Sequence, residues 1–381
     1  MPEKEKFNDN DVTVELLTRR VICDAKGFAE KYGGSGLNPT SELLSPVFRE
    51  LAASNPYADD NTIMAVLGRV GRHVVSEMLL VPDMLYFDSS FIPWTWGQSF
   101  VTYPESRGLG IGTILVQRMI SQLQMRGSGF GAFAMSPMSR RVWEKCGMLH
   151  LGKNPRYLTF LDARPALELL GTPQFLAKAG RPLMNVLYAI ANKPWFLLAK
   201  KRTSAYSFEE IDRFDDRLDH YVKKQTQHPR FRRTSDVCNW RLASVERIGK
   251  PRTCRAFYMT GRDTDALHGY FIFKSGICKK YAGRRGHDFR VGTVVDLHAD
   301  SQAALKALVL HAHSLAHRQG NEIFEFFGSH SICRTTARSL GMLRLGGYEM
   351  AFQPPPGADK LRRIPLSQWW LTGGESDAFY F

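Results

Sequence analysis

Residues 99–124 have the sequence SFVTYPESRGLGIGTILVQRMISQLQ, in which three glycines alternate with other residues between two periodic segments. The segment before the glycines has the aromatic and β-branched character of a strand. In the segment after them, Leu115, Met119 and Leu123 recur every fourth residue and so share one apolar face of a helix. The stretch predicts a strand, a glycine-rich turn and an amphipathic helix in direct succession.

The flanking sequence extends this arrangement. Strand-like runs begin at Val12, Thr62, His73 and Trp96, and a short apolar run and a second helix follow the first helix. This order is typical of an α/β sheet with a parallel pair at its centre. The same order recurs after residue 254 with little sequence identity, so we predict a structural duplication and two α/β domains.

The composition limits the class of protein. The chain has 381 residues, of which 44% are hydrophobic and 23% charged, as expected for two globular domains with packed cores. Lysine and arginine (51) exceed aspartate and glutamate (37) by 14, which favours an acidic partner such as a phosphorylated cofactor, an acidic carrier protein, anionic lipid or nucleic acid. The six cysteines are scattered, as in reduced proteins, and the polar N-terminus is unlike a signal peptide, so we expect a cytoplasmic location.

The segment 173–202 is apolar but is interrupted by Asn192, Lys193 and Pro194, so we expect no membrane span. Two interpretations stay open: a linker helix packed between domains, or a basic amphipathic helix lying on anionic lipid at the inner face of a membrane. The segment marks the domain boundary. We predict a cofactor-binding domain at 1–162, a helical amphipathic linker at 163–203 and a second domain at 204–381.

The glycine turn has the chemistry of an anion site. The first amides of a helix lack internal partners, and the helix dipole adds partial positive charge there. Glycine removes the Cβ atoms that would hold a diphosphate away from these amides. The spacing fits neither the GxGxxG fingerprint of dinucleotide-binding folds nor the GxxxxGK pattern of a P-loop. The turn therefore predicts a phosphate ligand of another kind, or a glycine-rich turn with no ligand.

The pattern from Arg107 through Gly110 to Gly112, behind Pro104, resembles the acyl-CoA pyrophosphate loop of the GNAT superfamily of N-acyltransferases, which is Arg or Gln, two residues, Gly, one residue, Gly or Ala. The resemblance implies tandem GNAT-like domains, each a mixed central sheet flanked by helices, and acetyl-CoA or another acyl-CoA as co-substrate, with no metal. It also implies that one edge of the preceding strand binds the pantetheine arm and that the amides of the loop bind the pyrophosphate. The cofactor-binding residues would be Phe100, Thr102, Arg107, Gly108, Leu109, Gly110, Ile111, Gly112, Thr113 and Ser136.

A second segment, SPMSRRVWEKCGM from Ser136, resembles the family's Asn-x-x-Ala-x-x-x-Tyr-Glu-Lys-x-Gly-Phe helix. Trp143 stands where the family has the tyrosine that protonates the leaving thiolate, and an indole cannot replace that proton donor. For the base, the run from Val74 to Ser90 offers Glu77, Asp83 and Asp88, of which we favour Glu77. The resemblance implies acyl transfer to an amine, in preference to a hydroxyl; the alternative is a non-catalytic CoA-binding module that keeps the fold.

The second half has the same strand-to-helix junction but no glycine loop. Asp300 and Ser301 would cap the helix there, and the carboxylate would repel a diphosphate. We therefore expect this domain to be a degenerate copy. The acceptor of the first domain is left open, with a small molecule such as an amine or an amino sugar, a lipid-linked precursor and a protein terminus as the candidates.

Three further patterns have ordinary explanations. His311, His313 and His317 lie on one helix, but without an HExxH pattern we expect a partly exposed helix face rather than a metal site. For the basic segment 279–290 we predict a solvated hairpin loop first and a contact with a carrier or lipid second, since nucleic-acid modules alternate basic and aromatic residues more densely. The aromatic tail from residue 366 is predicted to pack as a last strand.

Overall fold

A computed structural model describes residues 12–37, 41–133, 135–169, 171–172, 174–225, 229–247, 254–279 and 288–373. The chain is a mixed α/β protein in which the described residues form two compact units. The first unit lies within Met1–Lys153, His228–Arg232 and Tyr348–Trp369. The second lies within Asn154–Gln227, Arg233–Gly347 and Trp370–Phe381. Each unit thus contains segments that are distant in sequence.

The strands of the described chain are β1 Val12–Thr18, β2 Ile63–Val70, β3 His73–Phe87, β4 Ser90–Thr102, β5 Gly129–Phe133, β6 Leu149–Phe160, β7 Tyr206–Ile211, β8 Arg230–Phe231, β9 Cys254–Gly261, β10 Leu267–Cys278, β11 Phe289–Ala299, β12 Ile323–Phe327 and β13 Leu343–Gln353. The α-helices are α1 Arg19–Cys23, α2 Ala25–Tyr32, α3 Pro46–Ser54, α4 Ile111–Met125, α5 Pro137–Lys145, α6 Ala163–Leu169, α7 Gln174–Thr203, α8 Asp216–Lys223, α9 Ser235–Arg247, α10 Gln302–Arg318 and α11 Ser331–Ser339. The predicted strand–turn–helix at residues 99–124 is confirmed.

In the first unit, β1 to β4 pair antiparallel in chain order, β4 pairs parallel with β5, and β5 pairs antiparallel with the last residues of β13. Helices cover both faces of this sheet, because successive side chains of a strand point to opposite sides. Met78 packs in the cluster that contains the apolar face of α4, and the adjacent Leu79 packs in the cluster that contains α1, α2 and α3. The sequence patterns did not predict those three helices.

In the second unit, β12 pairs antiparallel with β6 and parallel with β11, and β10, β9 and β7 follow in antiparallel order. The predicted parallel pair at the centre of each half is therefore confirmed, as β4 with β5 and β11 with β12. Helix α10 carries apolar residues around most of its circumference and packs in a core with aromatic residues of β10 and β12.

Two loop predictions have different outcomes. The strands β10 and β11 that flank the basic segment pair antiparallel up to Cys278 opposite Phe289, but the predicted hairpin loop itself, at residues 280–287, lies outside the described chain and stays a prediction. The predicted last strand is wrong for residues 366–373: Leu366–Gln368 is a 3-10 turn, and Trp370 forms only an isolated bridge. Residues 374–381 of that prediction lie outside the described chain. Among the described residues, every helix is too short or too polar to cross a membrane.

Candidate functional site

The first unit has a pocket of about 650 Å³ at the end of β4, bounded by the start of α4 and one face of α5. All ten residues predicted from the sequence to bind a cofactor line it. The described lining residues are Phe100, Val101, Thr102, residues 106–114, Gln117, Ser136, Met138, Ser139, Val142 and Lys145. The α5 residues of the lining were not predicted from the sequence, although Met138, Ser139, Val142 and Lys145 share one helical face and could have been found from that spacing.

The glycines give the loop its shape. Gly108 and Gly110 have φ angles of 85° and 87°, in the left-handed region that other residues enter at a cost. Gly110 is the N-cap of α4 and supplies no side chain to the helix amides. At Gly112 an added Cβ would lie 3.0 Å from a ring carbon of Phe100 and 3.2 Å from the Thr102 hydroxyl. A side chain at this position would require the Phe100 ring or the helix to shift by a few tenths of an ångström, so glycine favours the close approach of α4 to β4.

The loop leaves a row of amides without protein acceptors. Within the described chain, the N–H groups of residues 108–112 donate no hydrogen bond, whereas the amide of Thr113 donates to the Gly110 carbonyl at 2.9 Å. Five consecutive donors at a helix N-terminus form a binding place for an oxyanion. The charged residues of the lining, Arg107 and Lys145, are both basic, so the electrostatics of the pocket also favour an anion.

Arg107 has a structural role in the loop. Its guanidinium Nε donates to the carbonyl oxygen of Thr102 at 2.9 Å, which ties the loop to the end of β4. The Ser136 hydroxyl on the opposite wall caps α5 by accepting from the Ser139 amide at 3.1 Å.

Strand β4 separates from β5 beside this loop. The two strands pair from Trp94 opposite Gly129 to Gly97 opposite Ala132, but β4 continues to Thr102. The register of β4 against β3 shifts between Glu77 and Leu79, and the facing Ser99 has φ 48°, which marks a β-bulge. The β5-facing backbone edge of residues 100–102 therefore pairs with no strand of the described chain and borders the pocket, where the Thr102 carbonyl already accepts from Arg107.

Trp143 is a core residue. It is 2% exposed, and its ring lies 5.4 Å from that of Phe100 and 5.5 Å from that of Phe130, measured between centroids. The nearby Cys146 is also unsuited to proton transfer at neutral pH, because burial raises the pKa of its thiol to about 11. Proton donors among the lining side chains include the hydroxyls of Ser136 and Ser139, which lie 3.0 Å apart.

The three candidate carboxylates have different surroundings. Glu77 is 7% exposed, accepts a hydrogen bond from the Ser41 hydroxyl at 2.6 Å and stands opposite Val101 beside the bulge, but it does not line the pocket. Asp83 accepts from the Trp96 indole at 3.2 Å. Asp88 is an exposed residue of the β3–β4 turn and pairs with Lys360 at 2.9 Å. Of the three carboxylates, Glu77 lies closest along β3 to the bulge.

In the second unit, side chains of the protein itself occupy the equivalent strand-to-helix junction, which lies between β11 and α10. The Ser301 hydroxyl accepts from the Ala304 amide at 3.1 Å and so caps α10 itself, which confirms the predicted cap. Asp300 pairs with His268 at 2.8 Å. A carboxylate and an occupied N-cap replace the open amides of the first unit, which is the arrangement expected of a degenerate copy.

The chain's own residues also fill the gap between β11 and β12. These strands pair only from Val291 to Val294 and then separate. The Trp370 indole donates to the Leu297 carbonyl at 2.9 Å, and the Thr372 hydroxyl donates to the Asp296 carboxylate at 3.2 Å. On the β12 side, the amide of Ser329 donates to the carbonyl of Leu371 at 3.1 Å. No sequence pattern indicated this insertion.

The histidine prediction needs correction. His313 is 1% exposed and stacks on Trp195 with centroids 4.4 Å apart, so it belongs to the core rather than to a partly exposed face. His311 stacks on Phe208 at 3.9 Å. Among the described residues, His, Cys, Asp and Glu form no group of three or more that could hold a metal ion.

Comparison with known proteins places this geometry in a known fold. Neither the protein-family models nor the curated proteins gave a match to the sequence. Among solved structures, Saccharomyces cerevisiae N-myristoyltransferase with bound myristoyl-CoA is similar over 93% of this chain and 86% of its own, with TM-score 0.55 and 11% identity. The chain has the fold of the GNAT-type N-acyltransferases.

Two further structures support that assignment of fold. A conserved protein of Enterococcus faecalis V583, a probable N-acyltransferase, matches 90% of this chain and 72% of its own at TM-score 0.53 and 13% identity. A GCN5-related N-acetyltransferase from Kribbella flavida matches 89% and 70% at TM-score 0.50 and 12% identity. The GNAT fold with tandem units that the sequence predicted is confirmed.

Proposed function

We propose that the first unit binds an acyl-CoA and transfers its acetyl or other acyl group to an amine, in preference to a hydroxyl. The observation that carries the proposal is the row of open amides at residues 108–112 beside the unpaired edge of β4. The fold supports it, because solved proteins of this fold include N-acyltransferases and one that holds myristoyl-CoA.

Each part of the pocket has a counterpart in the chemistry of CoA. The amides of residues 108–112 would hold the diphosphate, with Lys145 adding positive charge to the wall. The open edge at Phe100 and Thr102 would pair with the amides of the pantetheine arm, as one strand pairs with another. An acyl-CoA supplies an acyl group already activated as a thioester, so the protein needs only to orient the acceptor and to move protons.

Proton removal from the acceptor is assigned to Glu77. It stands next to the β4 bulge and is held by Ser41, which fixes its orientation. Replacing it with Gln keeps the hydrogen-bonding shape but removes the base. We expect Glu77→Gln to lower kcat by about 10² or more while the affinity for acyl-CoA stays unchanged. If the affinity for acyl-CoA fell together with kcat, Glu77 would have only a structural role.

Calorimetric titration with CoA and acetyl-CoA tests the binding site. Gly110→Asp would place a carboxylate among the amides, and two like charges about 6 Å apart repel by about 2.8 kcal/mol at an effective dielectric constant of 20, which is roughly a hundredfold in affinity. Gly127→Asp is the matched control, since Gly127 also has a positive φ, of 71°, and free space around its Cβ position, but lies past the other end of α4. Absence of saturable binding by the wild type, or equal effects of both variants, would refute the site.

The alternative is a CoA-binding module without turnover, which the indole of Trp143 in place of a tyrosine favours. Thiol release from acetyl-CoA over a panel of amines separates the two functions. Release above the background rate supports the transferase, and CoA binding without release on any acceptor supports the module.

A further inference from the structure

Helix α7 is fixed to the second unit by one face. Its 30 residues span about 45 Å. Trp195 stacks on His313 of α10, and Ala199 is 7% exposed. Near the other end, the Asn185 amide accepts from the Ala163 N–H at 2.9 Å and donates to Asp162 at 3.3 Å. These contacts determine which side of the helix faces outward.

The outward side carries large aliphatic residues in solvent. Leu183, Val186, Ile190 and Leu197 are 68%, 56%, 62% and 62% exposed. At about 100° per residue they fall within an arc of roughly 60°, on the side opposite Trp195. They form a stripe about 21 Å long, which we call the α7 stripe. The side chains of the neighbouring Leu187 and Phe196 lie outside the described part of the structure.

The charge of the helix is of one sign. Residues 174–203 contain six lysines and arginines and no acidic residue. Of these, Lys193, Lys201 and Arg202 are described and exposed, and Lys193 borders the α7 stripe. Burial and, to a smaller extent, the charge of Arg202 lower the pKa of Lys306 on α10.

We propose that the α7 stripe docks on the surface of an anionic lipid bilayer. A stripe of aliphatic residues on a helix whose charged residues are all basic matches a surface that offers acyl chains below a layer of anionic headgroups. The helix lies along the surface rather than crossing it, because no described helix is apolar enough to span. Lipid contact would hold the second unit at a membrane, independently of any activity in the first.

Flotation tests this directly, with the full-length protein and vesicles of phosphatidylcholine alone or mixed with phosphatidylglycerol. We expect binding to the mixed vesicles at low salt and a steep loss as salt is added. Leu183→Glu and Ile190→Glu should each weaken partitioning about tenfold or more. Met125→Glu is the matched control, because Met125 on α4 is also 68% exposed. It should float like the wild type.

Several results would overturn the proposal. Lipid docking is refuted if the wild type fails to float at low salt, if the Leu183→Glu, Ile190→Glu double variant floats as well as the wild type, or if Met125→Glu loses flotation equally. A wild-type dimer that does not float and that the double variant dissociates would assign the stripe to a second copy of the chain. Because these side chains are exposed, the variants should melt at the wild-type temperature, which circular dichroism verifies.

Discussion

Acid should destabilise the second unit through two histidines of α10. Burial lowers the pKa of His313 to about 3, with a smaller effect from the charge of His317. Burial, then the charges of Arg318 and Arg255, lower the pKa of His311 to about 4. Both side chains stack on aromatic rings, of Trp195 and Phe208, which limits the hydration of an imidazolium.

The size of the effect follows from the difference between the folded and unfolded states. An unfolded histidine takes up a proton near pH 6.5, whereas these two in the folded state do so only near pH 3 to 4. The free energy of unfolding therefore has its full value above about pH 6.5. It falls as the pH drops toward 4, because only the unfolded chain binds the protons. At pH 5 each histidine costs about 2 kcal/mol relative to pH 8, a large part of the stability of a typical domain.

Hydrogen exchange of the α10 amides, followed by mass spectrometry between pH 5 and 8 and corrected for the intrinsic rate, measures this loss in the second unit. His313→Leu keeps an apolar side chain of similar size against Trp195. We expect it to remove about half of the pH dependence, and the double variant with His311→Leu to remove most of it. An unchanged slope in both variants would show that the acid sensitivity comes from other groups and that the burial argument fails.

Other substitutions test the remaining structural arguments. Gly112→Val should abolish CoA binding, measured by calorimetry, because even a Cβ at this position lies 3.0 Å from the Phe100 ring and α4 would have to move away from β4. Trp143→Tyr should leave CoA affinity within about threefold and raise thiol release if a hydroxyl at this place protonates the leaving group; an unchanged rate would mean that the proton takes another route. Trp370→Ala should destabilise the second unit by about 3 to 5 kcal/mol in exchange experiments, and a loss under 1 kcal/mol would contradict its role as a filler of the gap. Cys146→Ser should retain full turnover, since a thiol with pKa about 11 is no nucleophile at neutral pH; lost turnover with intact CoA binding would refute this.

The sequence by itself determined the parts of this protein that depend on neighbours along the chain. The apolar repeat of Leu115, Met119 and Leu123 sets one helix face, and the glycines before it permit the positive φ angles and the close approach that the loop shows. These are local properties, because helix periodicity and backbone freedom act over a few residues. For the same reason the open amides at the start of α4 and the Ser301 cap of α10 could be anticipated.

Only the tertiary structure decided the features that join distant residues. The chain order does not reveal that Tyr348–Trp369 belongs to the first unit, or that Trp370 and Thr372 fill the gap beside β11, because strand pairing and side-chain insertion have no fixed sequence separation. Burial is also decided by packing partners. His313 became a core residue because Trp195 of α7 covers it, while Leu183 and Ile190 of the same helix stay exposed because no described element packs over them. An apolar residue in a helix specifies a preference for contact, and the rest of the fold determines whether a contact exists.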